Sequence, residues 1–360
     1  MKLPLSSLDL RHLFRGLWRT PVFTIVTLLT LALAIGANTA VFSLVDQTLL
    51  RPLPYPRPDR LVAVWADMSA AGFPRKEYTN PADFADWRAQ SSGIEDMAAY
   101  GETRPALTGF GNARQLLGGT VTHSFFDVLQ TRMQRGRGFA AAEDVPNGPD
   151  VAVISHALWQ NQFGGDPNVL QRTLTLNGEP YNVIGVLPRG FAFPFMPDRE
   201  VWRLLQSPAD GRGNAFLRVI GRLAPGVPLE NAAAGMATIG ARLADEYPDT
   251  NRDVSVFVQP LHEAVVDGVR LRLLVLWAAV GFVLLIACVN IANLLLVRSV
   301  GRMRELAIRG TLGARRAGLM ALVVMESLVL SLGGALLGLV FATVAVHVLH
   351  GQLPVGIAEY

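Results

Sequence analysis

Three long stretches without charged residues constrain this chain more than any other feature. They are Pro21 to Val45, Leu273 to Val297 and, interrupted by Glu326, Ala317 to about Leu349. A helix of about 20 apolar residues crosses a bilayer. A signal peptide is the alternative for the first stretch, but a secretory apolar region has only about 7 to 15 residues and this one continues past the cleavage-like "ANTA". The sequence therefore predicts membrane-spanning helices at residues 21–46, 270–297 and 317–350.

The charges beside these stretches predict their orientation. Residues 1–20 contain four basic residues and one acid, and residues 298–316 contain six arginines and one acid. Such short basic flanks stay on the cytoplasmic side. The sequence from Arg51 to Gly268 has 20 basic and 24 acidic residues. We therefore expect a cytoplasmic N-terminus, an exported domain at residues 47–269 and an external tail at residues 351–360.

The composition excludes some classes of protein. With 51% hydrophobic and 17% charged residues, the chain is too apolar for an ordinary soluble protein. Its pI of about 9.3 could indicate a nucleic-acid partner, but the excess of basic residues is concentrated beside the membrane stretches. We therefore predict no nucleic-acid partner. The single cysteine, Cys288, lies in the second stretch, so the exported domain must fold without a disulfide.

The exported region has the pattern of an α+β domain. Short apolar runs alternate with Gly, Pro and Asn, and Asn177-Gly178 between two apolar runs predicts a β-hairpin. "PADFADWRAQ" predicts a helix with Asn80 as its N-cap, and we expect the carboxylates of Asp83 and Asp86 on its solvated face. A long amphipathic helix follows in "PLENAAAGMATIGARLADEYP".

Before the first span, residues 1–20 predict an amphipathic helix in the membrane interface. Apolar residues recur at helical spacing from Leu10 to Trp18, with arginines between them. The alternative is a solvated basic leader without a membrane-binding face.

The basic segment at residues 298–316 predicts a cytoplasmic helix. Arg302, Glu305 and Arg309 share one helical face at i, i+3 and i+7, and Glu305 with Arg309 is a favourable i, i+4 pair. Arg304 adds charge, and Gly313 supplies a position at which a helix can end. The alternative is that these arginines only fix topology and bind anionic lipid.

Polar residues and small residues stand out within the predicted spans. Glu326 is costly inside a membrane, and pairing with Asn290 or Asn293 of the second span is its simplest explanation. Gly334 and Gly338 form a G-x-x-x-G that allows close helix packing, with a second copy of the chain as one candidate partner.

The sequence offers no candidates for enzymatic chemistry. A phosphate loop needs a lysine after its glycines, but neither Lys2 nor Lys76 follows such a loop. His347 and His350 are three residues apart, yet an interfacial position explains them better than a metal site. No G-x-S-x-G occurs. We expect no catalytic residue, no metal and no cofactor, so any ATP hydrolysis must come from another subunit.

Three segments together resemble the MacB/FtsX-type permeases of ABC transporters, including the duplicated orphan permeases. They are "THSFFDVLQTRMQRGRGFAAAED", "VAVISHALWQNQFGGDPNVLQRTLTLNGEPYNVIGVLPRGFAFP" and "NIANLLLVRSVGRMRELAIRGTLGARR". The resemblance implies a membrane protein with α-helical transmembrane segments and a large α+β periplasmic core domain inserted between the first two. It also implies that residues 298–316 are a coupling helix that docks on an ATP-binding subunit.

The resemblance implies an inner-membrane permease subunit that couples ATP hydrolysis in trans to movement of its periplasmic domain, for export or efflux. The implied partners are the ATPase, a second permease copy, membrane lipid, a periplasmic adaptor and an outer-membrane channel. Two further interpretations stay open: a mechanotransmitter that regulates a periplasmic or cell-wall partner, and a membrane-anchored binding or enzymatic domain. The substrate cannot be inferred from the sequence.

One departure from the family pattern concerns the membrane helices. The family ordinarily has a fourth membrane helix, and duplicated members have a second half, whereas this sequence ends at Tyr360 shortly after the third predicted helix. The expectation from this departure is a fragment or truncated product, which would dock an ATPase weakly or not at all.

Overall fold

The computed structural model describes Trp18 and residues 20–207, 211–301 and 316–350. The described residues form two compact units. One is a membrane unit, built from residues up to Arg51 and from Val269 onward. The other is an α+β unit that begins at Pro52 and ends at Gly268. A large α+β domain is therefore inserted between the first two apolar helices, as the sequence predicts.

The first apolar stretch is the helix α1, Pro21–Val45. It has a proline in its first turn, where a missing N–H costs nothing, and it continues into one wider π-helical turn, Asp46–Leu50. Of residues 1–20 the structure describes Trp18 and Thr20, so the predicted interfacial helix lies outside the described residues.

In the part of the chain that the structure describes, the α+β unit is organised around one mixed sheet of twelve strands. In chain order they are β1 Leu61–Asp67, β2 Ile94–Thr103, β3 Ala106–Thr108, β4 Arg114–Gln115, β5 Gly118–Val121, β6 Arg135–Gly136, β7 Val151–Ile154, β8 Thr173–Leu176, β9 Glu179–Val186, β10 Val201–Leu204, β11 Arg218–Leu223 and β12 Ser255–Pro260. The order across the sheet is β12-β1-β11-β2-β5-β10-β7-β9-β8-β3-β4, and β6 pairs with β9. The pairs β5–β10 and β7–β9 are parallel.

The predicted hairpin at Asn177-Gly178 is confirmed. Strands β8 and β9 pair antiparallel with Leu176 opposite Glu179. Asn177 has φ 55° and Gly178 has φ 88°, so both turn residues adopt the left-handed conformation that a two-residue hairpin requires. Asparagine and glycine tolerate that conformation better than other residues.

Five helices cover the sheet of the α+β unit in its described part. They are α2 Pro81–Gln90, α3 Phe125–Leu129, α4 His156–Phe163, α5 Leu229–Glu246 and α6 Pro248–Asn251. The Asn80 side chain accepts a hydrogen bond of 2.8 Å from the Asp83 N–H, which confirms the predicted N-cap of α2. Helix α5 buries Ala232, Met236 and Leu243 on the stripe that its sequence predicts.

The sheet carries apolar cores on both faces because alternate residues of its strands point to opposite sides. On β2, Ala98 and Tyr100 join a core that includes Phe125, Phe193 and Trp202. Met97 and Ala99 of the same strand join the core beneath α2 and α5.

The expectation that Asp83 lies on a solvated face is wrong. Asp83 is buried with 3% exposure, and its carboxylate accepts hydrogen bonds from Asn80 Nδ2 at 2.7 Å and Asn251 Nδ2 at 2.9 Å. Arg212 forms ion pairs with both Asp83 and Asp86. Its guanidinium carbon also lies 3.6 Å from the ring centre of Tyr247. Buried charges require such partners. Through Arg212, these contacts of Asp83 connect the segment before β11 with α2 and α6.

The second and third apolar stretches form α7, Leu261–Gly301, and α8, Arg316–His350. Together with α1, these are the helices in the described part of the chain that are long and apolar enough to cross a membrane. Helix α7 begins at Leu261 rather than near residue 270, and Leu261 is a fully buried member of a core of the α+β unit. One uninterrupted helix therefore includes both a core residue and a membrane-spanning stretch.

We predict that Asp83→Asn lowers the free energy of unfolding by about 3 kcal/mol, because it leaves Arg212 partly buried with a weakened ion pair. At roughly 2 to 4 °C per kcal/mol for a unit of this size, the melting temperature of the purified chain should fall by about 6 to 12 °C.

Asp86→Asn is the matched control, because Asp86 pairs with the same arginine but its side chain is 28% exposed. Its effect should stay below about 1 kcal/mol. Equal melting temperatures for the two variants, measured by scanning fluorimetry, would contradict the assignment of Asp83 as the centre of this group.

Candidate functional site in the membrane unit

Helices α1 and α8 make a close backbone contact through small residues. A Cβ atom built on Gly334 would lie 2.5 Å from the Leu31 Cβ, and one built on Gly338 would lie 3.1 Å from the Ala32 carbonyl oxygen. From the α1 side, a Cβ atom built on Gly36 would lie 2.8 Å from the Gly338 carbonyl oxygen. At Gly36 and Gly334 only a residue without a side chain fits unless its neighbours shift, and at Gly338 a Cβ would make an unusually tight contact. The structure thus gives the G-x-x-x-G of α8 a neighbour within the chain.

The α1 side of this contact was not predicted from the sequence. Ala32, Gly36 and Ala40 are buried and recur every four residues, so they form a stripe of small residues on one face of α1. Such small-xxx-small spacing is the usual signal of close helix packing in membranes. The spacing could have been found beside the G-x-x-x-G of α8.

Helices α1 and α8 run in the same direction. Leu28 of α1 lies beside Gly333, Leu31 beside Gly334, and Ala32 and Ile35 beside Gly338. Residue numbers increase together along both helices, so the two N-terminal ends lie on the same side of the membrane unit.

Helices α1 and α7 run in opposite directions. The Arg298 guanidinium lies 4.6 Å from the centre of the Phe23 ring, near the beginning of α1. Towards the other end, Asn38 Nδ2 donates a hydrogen bond of 3.0 Å to the Val280 carbonyl, and the rings of Phe42 and Trp277 are 6.2 Å apart. The C-terminal end of α7 therefore lies on the same side as the N-terminal ends of α1 and α8.

The residues predicted to form the coupling segment, Arg302, Arg304, Glu305, Arg309 and Gly313, lie outside the described residues. The described helices define its two ends, because α7 ends at Gly301 and α8 begins at Arg316. The segment therefore connects two helix ends on one side of the membrane unit, the side where α1 begins.

The predicted intramembrane polar residues are on the helices as expected. Asn290 and Asn293 lie on α7 and are exposed, and Glu326 lies on α8, where its side chain is outside the described part. The proposed pairing of Glu326 with an asparagine stays a prediction. The side chains of His347 and His350, in the last turns of α8, are also outside the described part.

The described contacts of the membrane unit include close approaches at glycines, an interhelical amide hydrogen bond, an aromatic pair and a cation–π contact. Contacts of this kind hold membrane helices together. Such features define a multi-helix membrane protein with a large α+β extramembrane unit.

The chain belongs to the family described as MacB-like periplasmic core domain, whose family model matches residues 24–239. A second family model, FtsX-like permease C-terminal, matches residues 277–358. The resemblance to MacB/FtsX-type permeases is therefore confirmed.

Several curated relatives share this similarity. The macrolide export ATP-binding/permease protein MacB of Burkholderia pseudomallei is 27% identical over 226 residues, 62% of this chain and 34% of the relative. The pyoverdine export ATP-binding/permease protein PvdT of Pseudomonas syringae is 24% identical over 277 residues, 69% of this chain and 40% of the relative. The chain thus spans about a third of the length of the MacB relatives it matches.

Two solved structures are similar to part of the chain. The periplasmic region of MacB from Actinobacillus actinomycetemcomitans has a TM-score of 0.44 and 12% identity, covering 64% of this chain and 97% of that structure. The extracellular domain of YknZ from Gram-positive bacteria has a TM-score of 0.41 and 16% identity, covering 55% of this chain and 99% of that structure.

We predict that Gly334→Ala destabilises the membrane unit by about 1 to 3 kcal/mol, the usual cost of overpacking. A Cβ position is fixed by the backbone, so no change of rotamer at Leu31 relieves its contact at 2.5 Å. The midpoint of heat-induced loss of the monodisperse peak in size-exclusion chromatography should fall.

Gly281→Ala on α7 is the control, because a Cβ there meets nothing within 4 Å. Its midpoint should stay at or above that of the unsubstituted chain, since alanine favours helix more than glycine does. If the two variants behave alike, the close contact of α1 with α8 does not stabilise the unit.

Proposed function

We propose that this chain is a permease subunit of an ABC transporter that couples ATP hydrolysis by a separate ATPase to movement of its α+β unit. We propose export as the function of this movement, because two relatives are named as export proteins for a macrolide and for pyoverdine. The proposed location is the inner membrane, with the N-terminus cytoplasmic and the α+β unit periplasmic.

This proposal rests on the position of three helix ends, which lie on the same side of the membrane unit. The N-terminal ends of α1 and α8 and the C-terminal end of α7 share one side of the membrane unit, as the contacts of Phe23, Gly334 and Arg298 indicate. The basic segment between α7 and α8 is then a short cytoplasmic connection, whose arginines satisfy the positive-inside rule. An ATPase that binds this segment would act on two membrane helices at once.

The helix α7 supplies the route from this segment to the α+β unit. It is uninterrupted from Leu261 to Gly301, and a hydrogen-bonded helix transmits an axial or rotational displacement along its length. In this proposal, Arg302, Glu305 and Arg309 contact the ATPase, Arg304 contributes charge, and Gly313 ends the coupling helix.

The proposed assembly contains the ATPase in trans and a second permease copy, with lipid around the helices. A periplasmic adaptor and an outer-membrane channel would complete an export pathway. The relatives named ATP-binding/permease proteins carry both functions in one chain, whereas YknZ of Bacillus subtilis is named an ABC transporter permease, at 23% identity over 224 residues. The hydrolytic step is assigned here to a partner subunit.

We predict that the combined variant Arg304→Glu, Glu305→Arg, Arg309→Glu loses at least about tenfold in association with its ATPase. It reverses Glu305 and Arg309, two charges proposed to contact the partner, together with the neighbouring Arg304, and juxtaposed like charges cost several kcal/mol. Co-purification in mild detergent with candidate ATP-binding subunits of the host, followed by an ATP hydrolysis assay, measures this effect.

Arg315→Glu is the matched control, because it changes the net charge by the same −2 as the triple variant. If the segment acted only through topology and lipid, both variants would affect insertion equally and neither would affect the ATPase specifically. A triple variant that stays associated with a stimulated ATPase would refute the assignment of the coupling residues.

A further inference from the structure

An open cavity of about 430 Å³ lies in the α+β unit, where β2 ends and β11 begins. Its walls include Tyr78, Tyr100, Glu102, Ala215, Phe216 and Arg218. None of these residues belongs to the membrane contacts or to the coupling segment.

The sheet fixes the polar side of the cavity. Tyr100 and Arg218 are directly opposite each other in the antiparallel pairing of β2 with β11. Glu102 is two residues further along β2, so its side chain leaves the same face of the sheet. Cross-strand neighbours on one face have Cβ atoms about 5 Å apart, which places these three polar groups within reach of a single small ligand.

A second backbone contact fixes the apolar side. The Thr79 N–H donates to the Leu217 carbonyl at 2.8 Å, and the Leu217 N–H donates back to the Thr79 carbonyl at 3.0 Å. These bonds hold Tyr78 and Phe216, the neighbours of the paired residues, at the cavity. The two residues are 41% and 39% exposed, which leaves aromatic surface for a bound molecule.

The Tyr100 hydroxyl is the unusual group in this cavity. The residue is 1% exposed, and its ring packs against Phe193 with ring centres 4.9 Å apart. Burial raises the pKa of Tyr100 above its usual value, so the hydroxyl keeps its proton. None of the hydrogen bonds among the described residues involves this hydroxyl, and its oxygen is not one of the fully enclosed unpaired atoms. Because Tyr100 lines the cavity, a ligand there is a suitable partner for the hydroxyl.

The charges around the cavity favour an anion. Glu102 pairs with Arg199 at 3.1 Å, while the nearest oxygen of Glu102 lies 3.9 Å from Arg218, beyond hydrogen-bonding distance. Arg218 donates from Nη2 to the Tyr78 hydroxyl at 2.8 Å. The Glu102 carboxylate is therefore paired with an arginine that does not line the cavity, and Arg218 retains N–H donors for an anionic ligand.

We propose that this cavity binds small amphiphilic carboxylates with a planar apolar body. The body lies against Tyr78 and Phe216, and the carboxylate accepts hydrogen bonds from the Tyr100 hydroxyl and from Arg218. This site is separate from the proposed ATPase coupling, so binding at it does not require the coupling proposal to be correct.

The test is fluorine NMR of a trifluoromethyl-naphthalene carboxylate added to the full chain in lipid nanodiscs, with empty nanodiscs subtracted to remove partition into lipid. We expect saturable line broadening with the unsubstituted chain. The primary amide of the same compound, which lacks the charge, should bind at least about tenfold more weakly, the loss expected for a hydrogen bond to a charged group.

Tyr100→Phe removes only the hydroxyl and should weaken carboxylate binding by about tenfold. Tyr181→Phe is the matched control, because the buried Tyr181 hydroxyl already accepts a hydrogen bond of 3.2 Å from Arg203, away from this cavity. Its affinity should equal that of the unsubstituted chain.

Three results would overturn the proposal: no binding beyond empty nanodiscs, equal binding of acid and amide, or equal affinity of the Tyr100→Phe and unsubstituted chains. If Tyr100→Phe lowers the melting temperature, Arg218→Met decides the question, since it keeps an apolar side chain of similar reach but removes the charge. Unchanged affinity in that variant also overturns the proposal.

Discussion

The close contact between α1 and α8 is the constraint on which the membrane unit depends. Lipid tails are as apolar as the side chains of these helices, so burial of apolar surface does not hold them together as it would in water. Van der Waals contact at short range must do so. Gly36, Gly334 and Gly338 permit it, because a Cβ atom at each would lie within about 3 Å of the other helix. The parallel direction of α1 and α8 is fixed by the same contact.

The α+β unit is stabilised differently. Its sheet has an apolar core on each face, and the hydrophobic effect favours the burial of these cores away from water. Two charged residues buried in this unit, Arg222 and Asp83, have several polar partners. Arg222 is 2% exposed and donates to the carbonyls of Val128 and Pro56, and Asp83 is surrounded by two asparagines and Arg212. The Asp83 group anchors the chain just before Ala215 and Phe216, so the same buried charge that stabilises the unit also supports one wall of the proposed carboxylate site.

The proposed coupling and the proposed ligand binding involve different units of the chain and different physical interactions. Coupling at the basic segment depends on charge complementarity with a protein partner. Binding in the cavity depends on a few donors beside aromatic surface, the usual composition of small-molecule sites. A chain of this family that both responds to an ATPase and binds an amphiphilic acid would have the two properties an exporter requires.

The sequence by itself determined the properties that depend on local composition and spacing. Three long apolar stretches predicted three membrane helices. Asn177-Gly178 predicted a hairpin and Asn80 predicted a helix cap. Each of these features depends on residues that are close together in the sequence. The motifs also predicted the family. The coupling role of Arg302, Glu305 and Arg309 stays a prediction from the sequence.

Only the tertiary structure decided which distant residues meet. The pairing of Gly334 with Leu31, the burial of Asp83 and the opposition of Tyr100 to Arg218 all join residues more than a hundred positions apart. A carboxylate two residues after a proline resembles a solvated helix start, and nothing local shows that Asn251 and Arg212 will cover it. Sheet order and helix packing bring these residues together, and the partner of each lies far away in the sequence. For this physical reason the sequence alone could not predict the contacts.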